Sequence, residues 1–478
     1  MPPVRLFGSD IEYGLQIEGR DVADQLEDSA EVIRSLQANS VGCWDYALES
    51  PRCDLRGFSV DRLTTDPADS VWDVGRVHPP ESELRSDRVL ENGARLYNDH
   101  GHPEYATPEC RRIADALAHE LAGERIVLQA AKDFQERTGR AVKIYKNNTD
   151  YHGASYGSHE NYLVPRSVQF ADLLSHLVPF LISRSILFGA GKVGSESRPD
   201  VRFQLSQRAD FFTELASVDT IYRRPIFNTR DEPHAEQERW IRLHVICGDA
   251  NRMPWSIAMK FGTMSLVLRL LEMGDRVEWA LRDPVTAFRD ASRILDGSRI
   301  ETTSGWTNSA EVLDDYRCAC ESRFRGIDAE TDWVLDEWNA ALEDFRTDWT
   351  RLADRVDWAA KRLMLEQFCG PVETWDAPLA QSLDLEYHNL EPQDSLFDAL
   401  VAEGQTRTVI PESRILDAMS MPPQDTRAQL RAEVVRTYGE QVQAIGWRRA
   451  IISAGPDDSR VVEFPVNWET GTLSDLLE

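Results

Sequence analysis

The feature that most constrains the fold is a series of polar side chains at alternating positions in segments with β-strand character. Asp10 and Glu12 are the first such pair, in the segment GSDIEYG. Residues two apart on a strand face the same side, and two adjacent carboxylates repel each other unless a positive charge lies between them. The pair therefore predicts a sheet face that binds a cation.

The stretch NGARLYNDHGHPEYATPEC, residues 92–110, continues the pattern. Tyr97 and Asp99 form a second pair with a shared face, and His102 and Glu104 form a third after a glycine. Proline and glycine exclude a charged helix face here. Two interpretations are open: a polar turn between two strands, or part of a metal and acid/base site.

Two further histidines extend the set to later strand segments, His159 in GASYGSHENYLV and His244 in RLHVICGDAN. Oxygen ligands with one or two histidines suit magnesium or manganese better than zinc, because thiolates are absent from the set. The cysteines include a single close pair, Cys318 and Cys320, with no second pair to complete a zinc site. The pattern therefore predicts a divalent-metal site of this kind on a sheet face.

Arginines are frequent in the same part of the chain. They are Arg202, Arg208, Arg223, Arg224, Arg230, Arg239 and Arg242. The planar guanidinium suits phosphate or carboxylate, and magnesium together with arginines suggests ATP. The sequence contains neither a P-loop motif nor the kinase motif set, so we expect any nucleotide to lie on an open sheet.

The charge balance limits the partners. Lys and Arg number 53 against 81 Asp and Glu, a formal net charge of -28, which excludes nucleic-acid binding over the general surface. An anionic ligand therefore needs a local basic pocket. The N-terminus has no apolar signal core, and no run reaches membrane-spanning length, so we expect a cytoplasmic protein without a membrane segment.

Periodicity along the chain predicts an α+β fold, with an antiparallel sheet and helices packed on it. Residues 4–18 have strand character with a turn inside, whereas residues 21–38 and 111–138 have helical periodicity. Beyond about residue 258 the pattern is mainly helical until strand character returns near the C-terminus. The sequence thus places the polar strands in the N-terminal half of the chain.

The chain is long enough for two domains. We expect a catalytic domain over residues 1–400 and a small C-terminal domain over residues 401–478. Residues 59–87 are polar and irregular, which predicts a mobile surface loop. Because this loop leads directly into the strand of Asp99, we expect it to flank the entrance of the active site.

Several long segments resemble one family in order along most of the chain: GSDIEYG, WDYALESPRCDLRGF, NGARLYNDHGHPEYATPEC, YKNNTDYHGASYGSHENYLV, FQLSQRADF, NTRDEPHAEQERWIRLHVICGDAN and LDLEYHNL. They look like the Pup ligase and Pup deamidase/depupylase family, which acts on the small prokaryotic ubiquitin-like protein Pup in proteasome-linked protein degradation. The resemblance implies a glutamine-synthetase-like antiparallel sheet cradle that holds ATP and magnesium, with a small C-terminal domain.

Within this family the chain is more similar to the hydrolase branch than to the ligase branch. The segment DHGHPEY resembles the hydrolase pattern, whereas the ligase typically has Asp-Val-Gly-Ser-His-Pro-Glu. The upstream WDYALESP and the long loop before the Asp99 strand are also similar to the hydrolase. That branch attacks the side-chain amide of a C-terminal Gln of Pup, or the isopeptide bond that joins Pup to a lysine.

The resemblance assigns roles to individual residues. Asp99 matches the catalytic aspartate, and Arg208 and Arg230 match residues that contact phosphates or the reacting carboxyl group. The residues that match the metal shell are Asp10, Glu12, Tyr97, Glu104, His159 and His244. The family usually has Glu where this chain has Asp10, so one metal is expected to bind differently or through water. For His102, proton transfer, orientation of Asp99 and structural hydrogen bonding are all open.

The resemblance therefore implies an enzyme, a depupylase/deamidase that depends on magnesium and on ATP, or ADP plus phosphate, as a cofactor that shapes the site. Asp99 would attack the amide carbonyl or position a water to do so. The alternatives are a Pup–protein ligase, a small-molecule carboxylate–amine ligase, and an inactive relative that only binds Pup.

Overall fold

A seven-stranded antiparallel sheet forms the centre of the structure, and its strand order is β13-β8-β1-β6-β5-β4-β3 in the numbering given below. The structure is a computed structural model that describes residues 5–20, 24–63, 81–151, 153–293, 299–455, 458–468 and 473. The strands are β1 Phe7–Glu12, β2 Gly14–Ile17, β3 Ser40–Val41, β4 Arg88–Leu90, β5 Arg95–Asp99, β6 His102–Ala106, β7 Val142–Tyr145, β8 Ser158–Pro165, β9 Lys192–Val193, β10 Phe203–Gln204, β11 Phe212–Ser217, β12 Arg224–Asn228, β13 Trp240–Val245, β14 Arg299–Thr302, β15 Gly305–Asn308, β16 Val442–Ile445, β17 Arg449–Gly455 and β18 Asp458–Glu463.

Helices cover one face of this sheet and make up most of the C-terminal half. They are α1 Gln25–Ser35, α2 Glu81–Arg85, α3 Ile113–Thr138, α4 Phe170–Ser183, α5 Ser185–Phe188, α6 Pro254–Glu272, α7 Pro284–Arg293, α8 Ser309–Phe324, α9 Ala329–Thr347, α10 Asp357–Cys369, α11 Ala377–Tyr387, α12 Leu396–Ala402, α13 Glu412–Ala418 and α14 Ala428–Tyr438.

The two faces of the sheet differ in polarity because side chains alternate along each strand. On the helix-covered face, Phe7, Tyr162 and Leu243 pack into the main hydrophobic core with α3, α4 and α6. Helix α3 lies very close to the sheet, since a Cβ at Gly123 would be 2.4 Å from the Tyr105 ring. The opposite face is left for the polar residues that alternate with these apolar ones.

The register of the sheet sets which polar residues are neighbours. Asp10 on β1 is opposite His159 on β8, and Glu12 is opposite Glu104 on β6. Glu104 is also opposite Tyr97 on β5. The predicted same-face pairs therefore lie on adjacent strands of one sheet.

A two-residue turn joins β5 to β6. Its residues His100 and Gly101 both have positive φ, 49° and 91°, as the type I′ turn of a tight hairpin requires. The Asn98 side chain accepts a hydrogen bond from the Gly101 backbone N–H at 3.1 Å and holds the turn from inside. The two interpretations of residues 92–110, a polar turn between strands and part of a metal and acid/base site, are therefore compatible.

The C-terminal strands β16, β17 and β18 form a separate three-stranded sheet that packs with α14. Its core includes Ile445 and Val434 and is shared with Val41, Trp44 and Val89 from the N-terminal part of the chain. The proposed division into domains at residue 400 stays a prediction, although α12 crosses that boundary.

Two local elements were not predicted from the sequence. Residues 299–308 form the β14–β15 hairpin within a region predicted to be mainly helical, and Gly305, with φ of 143°, begins β15 directly after the two-residue turn. The predicted loop 59–87 contains helix α2, because contacts from other segments fix this turn of helix: the Asn98 amide donates to Leu84 O at 2.8 Å. Residues 64–80 of that loop lie outside the described residues.

Among the helices that the structure describes, we find none with the length and apolar character needed to cross a bilayer.

Candidate active site

Two groups of possible ligands lie on the polar face of the sheet. The histidine cluster consists of Asp10, His159 and His244, and the carboxylate cluster consists of Glu12, Asp99 and Glu104. In each cluster one possible ligand atom per residue lies within 4.8 Å of the others. The sheet therefore brings together six residues that are up to about 230 positions apart in the sequence.

The histidine cluster presents two neutral imidazoles. The His159 and His244 rings are 4.8 Å apart and nearly perpendicular, at 68°. Burial, reinforced by the positive charge of Arg208, lowers the pKa of His159 to about 3. Burial and Arg242 likewise hold the pKa of His244 well below its usual value. Each ring therefore keeps a nitrogen lone pair, which a metal ion requires.

The carboxylate cluster holds three carboxyl groups close together. Burial, with the nearby Asp99 charge, raises the pKa of Glu12 to about 7 and raises that of Glu104 well above its usual value. Burial also acts to raise the pKa of Asp99, but His100 and Arg85 outweigh it, and the net pKa is lowered. Asp99 is therefore the member of the cluster that keeps its charge, and a divalent cation would relieve the repulsion among the three.

Asp99 is accessible at the end of β5. Its side chain is 25% exposed, and Arg85 Nη1 from helix α2 lies 3.5 Å from its Oδ1. His100 Nε2 is 3.9 Å from the same oxygen and is itself largely exposed. A carboxylate that is ionised, partly exposed and next to a guanidinium can accept a proton or attack a carbonyl carbon.

Tyr97 and His102 flank the carboxylate cluster. Tyr97 is opposite Glu104 in the pairing of β5 with β6, and burial raises the pKa of Tyr97 well above its usual value, so the phenol keeps its proton. His102 stacks on Tyr156 with ring centroids 4.4 Å apart, and its Nδ1 lies 3.9 Å from Glu12 Oε2. Burial lowers the pKa of His102 to about 4, so the ring is neutral. The metal-ligand role of Tyr97 and the role of His102 stay predictions.

Arg208 and Arg230 carry positive charge next to both clusters. Burial, with repulsion from Arg224, lowers the pKa of Arg208 to about 10, so it stays charged at neutral pH. Its Nη1 donates to Ile246 O. Arg230 donates from Nη2 to Thr220 Oγ1 at 3.5 Å, and within the described residues its buried Nε has no partner. These two guanidiniums, whose described hydrogen bonds go to neutral groups, have capacity for an anionic ligand.

A small cleft, open to solvent, lies between the N-terminal segment and the C-terminal sheet. Trp44, His234 and Trp447 line it, and the two tryptophan rings are 5.2 Å apart at 75°. Arg95 connects this cleft to the site, since its guanidinium lies 3.9 Å from the ring centroids of both Trp44 and Tyr97.

Comparison with known proteins shows the family to which this chain belongs. The Pup-ligase protein family matches residues 5–451. The chain belongs to the Pup-ligase family. A depupylase of Acidothermus cellulolyticus is 38% identical over 99% of this chain and 96% of the relative. A Pup–protein ligase of Kineococcus radiotolerans is 41% identical, over 75% of this chain and 82% of the relative.

Two solved structures of the family share the fold. The complex between Pup and its ligase PafA matches with a TM-score of 0.79 and 28% identity, over 99% of this chain and 92% of PafA. PafA in complex with ADP matches with a TM-score of 0.74 and 29% identity, over 88% of this chain and 94% of that one. The predicted family and the predicted fold class, an antiparallel sheet with packed helices, are confirmed.

The predicted metal ligands and Asp99 lie on one face of the seven-stranded sheet, and Arg208 and Arg230 lie in segments outside it, but two neighbouring residues were not predicted from the sequence. Asn161 on β8 contacts both Asp10 and His244. Its position two residues after His159 is the signal that could have found it. Arg85 carried no such signal, because it lies in a segment predicted to be loop. Of the predicted arginine group, Arg223 lies over the Tyr222 ring, at 5.9 Å from its centroid.

Proposed function

We propose that this protein is an ATP- and magnesium-dependent hydrolase that cleaves the isopeptide bond between Pup, or a Pup-like modifier, and a substrate lysine. The same enzyme would deamidate a C-terminal Gln of the modifier. The observation that carries the proposal is Asp99, an ionised and 25% exposed carboxylate beside the two clusters. The match to the depupylase over 99% of this chain, against 75% for the ligase relative, favours the hydrolase.

The residues present fit a divalent cation with nucleotide phosphates. Neutral histidines and crowded carboxylates form a set of donors that suits magnesium or manganese. When bound, magnesium and ATP, or ADP plus phosphate, supply positive charge and a phosphate surface that complete the site. The carboxylates and histidines of the two clusters would hold the metal. Arg208 and Arg230 would bind the phosphates or the reacting carboxyl group. A relative of known structure binds ADP, which supports a nucleotide as the cofactor.

Asp99 would act on the amide in one of two ways. Its carboxylate attacks the carbonyl carbon, or it takes a proton from a water that attacks. In both routes the carbon–nitrogen bond breaks, the hydroxyl of water ends on the modifier's carboxyl carbon, and a proton goes to the leaving amine or ammonia. The guanidiniums of Arg208 and Arg230 would stabilise the oxygen that becomes negative.

Pup ligation is the second candidate function. The ligase relative has the higher identity, 41%, and both matched structures are of the ligase PafA. In that reaction ATP phosphorylates a C-terminal Glu of the modifier, and a lysine amine then displaces phosphate. The same ionised Asp99 could accept the proton of the lysine.

The test incubates the enzyme with ATP, magnesium and each of three substrates in turn. The substrates are Pup ending in Gln, Pup ending in Glu together with an acceptor protein, and a Pup conjugate. Isotopically labelled water distinguishes hydrolysis, because the label enters the modifier's carboxyl group. The hydrolase proposal expects labelled Pup from the first and third substrates. Formation of a conjugate from the second, with no label in the others, would establish the ligase.

Asp99→Asn tests the mechanism. We expect the amide cleavage rate to fall at least about a hundredfold, the low end for loss of a general base. ATP affinity and melting temperature should be retained, because the other ligands stay. Asp336→Asn is the matched control, since this carboxylate is 70% exposed on α9. Cleavage by Asp99→Asn within a few-fold of the parent rate excludes Asp99 as the catalytic group.

A further inference from the structure

Asn161 lies at the centre of the contacts that surround the histidine cluster. On β8 it is directly opposite His244 of β13 and Gly8 of β1. Gly8 has no side chain, so the amide of Asn161 can extend along the polar face to the next residue on that face, Asp10. The described contacts of the Asn161 side chain are with Asp10, Arg242 and His244.

The orientation of the Asn161 amide follows from Arg242. A guanidinium can only donate hydrogen bonds, so the atom that faces Arg242 Nη1 at 3.0 Å must be the amide oxygen. Arg242 is itself held by Glu232, whose backbone carbonyl accepts from Nε at 2.9 Å. The amide nitrogen of Asn161 consequently faces Asp10 and donates to its Oδ2 at 2.8 Å.

The same oxygen fixes the tautomer of His244. His244 Nδ1 lies 2.9 Å from Asn161 Oδ1, and an oxygen that already accepts from Arg242 cannot donate in return. The proton of neutral His244 must therefore sit on Nδ1. The free lone pair is then on Nε2, the nitrogen available to the cluster.

We propose that Asn161 is a positioning residue for a bound cation: one amide orients the Asp10 carboxylate and sets the His244 tautomer. Partners of this kind, which contact the ligands and not the metal, commonly change metal affinity by about 10- to 100-fold. The inference rests on the proposed cation-binding role of the histidine cluster. It adds a residue that lies outside the predicted ligand set.

The experiment uses the full chain without nucleotide and compares Asn161→Leu with the parent protein. Asn161→Leu keeps the branched shape and the number of side-chain heavy atoms, and it removes all three hydrogen bonds. We expect manganese affinity, measured from the signal of free manganese in electron paramagnetic resonance, to fall at least about tenfold. Asn308→Ala is the control for general destabilisation, because it removes the side chain that caps α8 far along the chain and should leave manganese affinity unchanged.

A second readout does not depend on metal binding. Nitrogen-15 NMR of labelled histidine in the metal-free protein reports the His244 tautomer, and His244→Asn identifies its signals. We expect the Nδ1-protonated form in the parent and in Asn161→Asp, which keeps an acceptor oxygen, and a mixture of tautomers in Asn161→Leu. An Asn161→Leu variant with parental manganese affinity and an unchanged His244 tautomer would overturn the inference. If the parent protein itself does not bind manganese, the cation-binding role of the histidine cluster is contradicted. The tautomer measurement then still tests the effect of Asn161 on His244.

Discussion

Gly157, the residue before β8, gives the sharpest test of the site geometry. A Cβ at this position would lie 2.4 Å from both Glu12 Oε1 and His159 Nε2, whereas ordinary contacts begin at 3.4 Å. The backbone cannot move away freely, because Gly157 O accepts the Glu12 N–H at 3.1 Å. Gly157→Ala must therefore displace one ligand from each cluster by about 1 Å, a shift that can cost about a hundredfold in rate.

The fold should tolerate this change. Gly157 does not adopt the left-handed conformation, so alanine fits its backbone, and the loss of chain entropy in the unfolded state favours folding by about 0.4–1 kcal/mol. We expect the amide cleavage rate and manganese affinity to fall together while the melting temperature changes little. Gly455→Ala is the matched control, because a Cβ there meets no atom within 4 Å. Parental rate and manganese affinity in Gly157→Ala would refute the argument that the two clusters converge at this glycine.

Three further predictions follow from described contacts. Arg85→Leu removes a cation that lowers the pKa of Asp99, so the acid limb of kcat/KM should move to higher pH; an unchanged profile would contradict the Arg85–Asp99 contact. Removal of metal with EDTA should weaken ATP binding measured by calorimetry, because the phosphates would lose the cation held by the two clusters and would face the ionised Asp99, and unchanged affinity would contradict the metal assignment. Lys146→Met removes the ammonium that contacts buried Glu120 and Glu124 and should cost about 3–5 kcal/mol in urea unfolding, whereas a loss below about 1 kcal/mol would show that these ion pairs add little.

The polar face could be predicted from the sequence because strand periodicity alone determines it. Asp10 and Glu12 alternate with Phe7 and Ile11, which are buried on the opposite face. On β8 the same alternation places His159 on the polar face. Each predicted ligand therefore followed from the rule that residues two apart on a strand share a face. No rule of this kind covers helix α2, which is held by the Asn98 amide from another strand, and this explains why Arg85 was not found.

Contacts between strands depend on register, and register is set by the turns. A slip of one residue between β5 and β6 would move Tyr97 and Asp99 to the apolar face and separate both from Glu104. The His100–Gly101 turn prevents this slip, because both residues adopt positive φ and Asn98 binds the Gly101 N–H. The turn in NGARLYNDHGHPEYATPEC therefore has a functional consequence of its own: the type I′ hairpin places Glu104 opposite Tyr97, and the pairing of β6 with β1 places it opposite Glu12. A carboxylate cluster assembled from three strands thus depends on a two-residue loop that contributes no ligand to it.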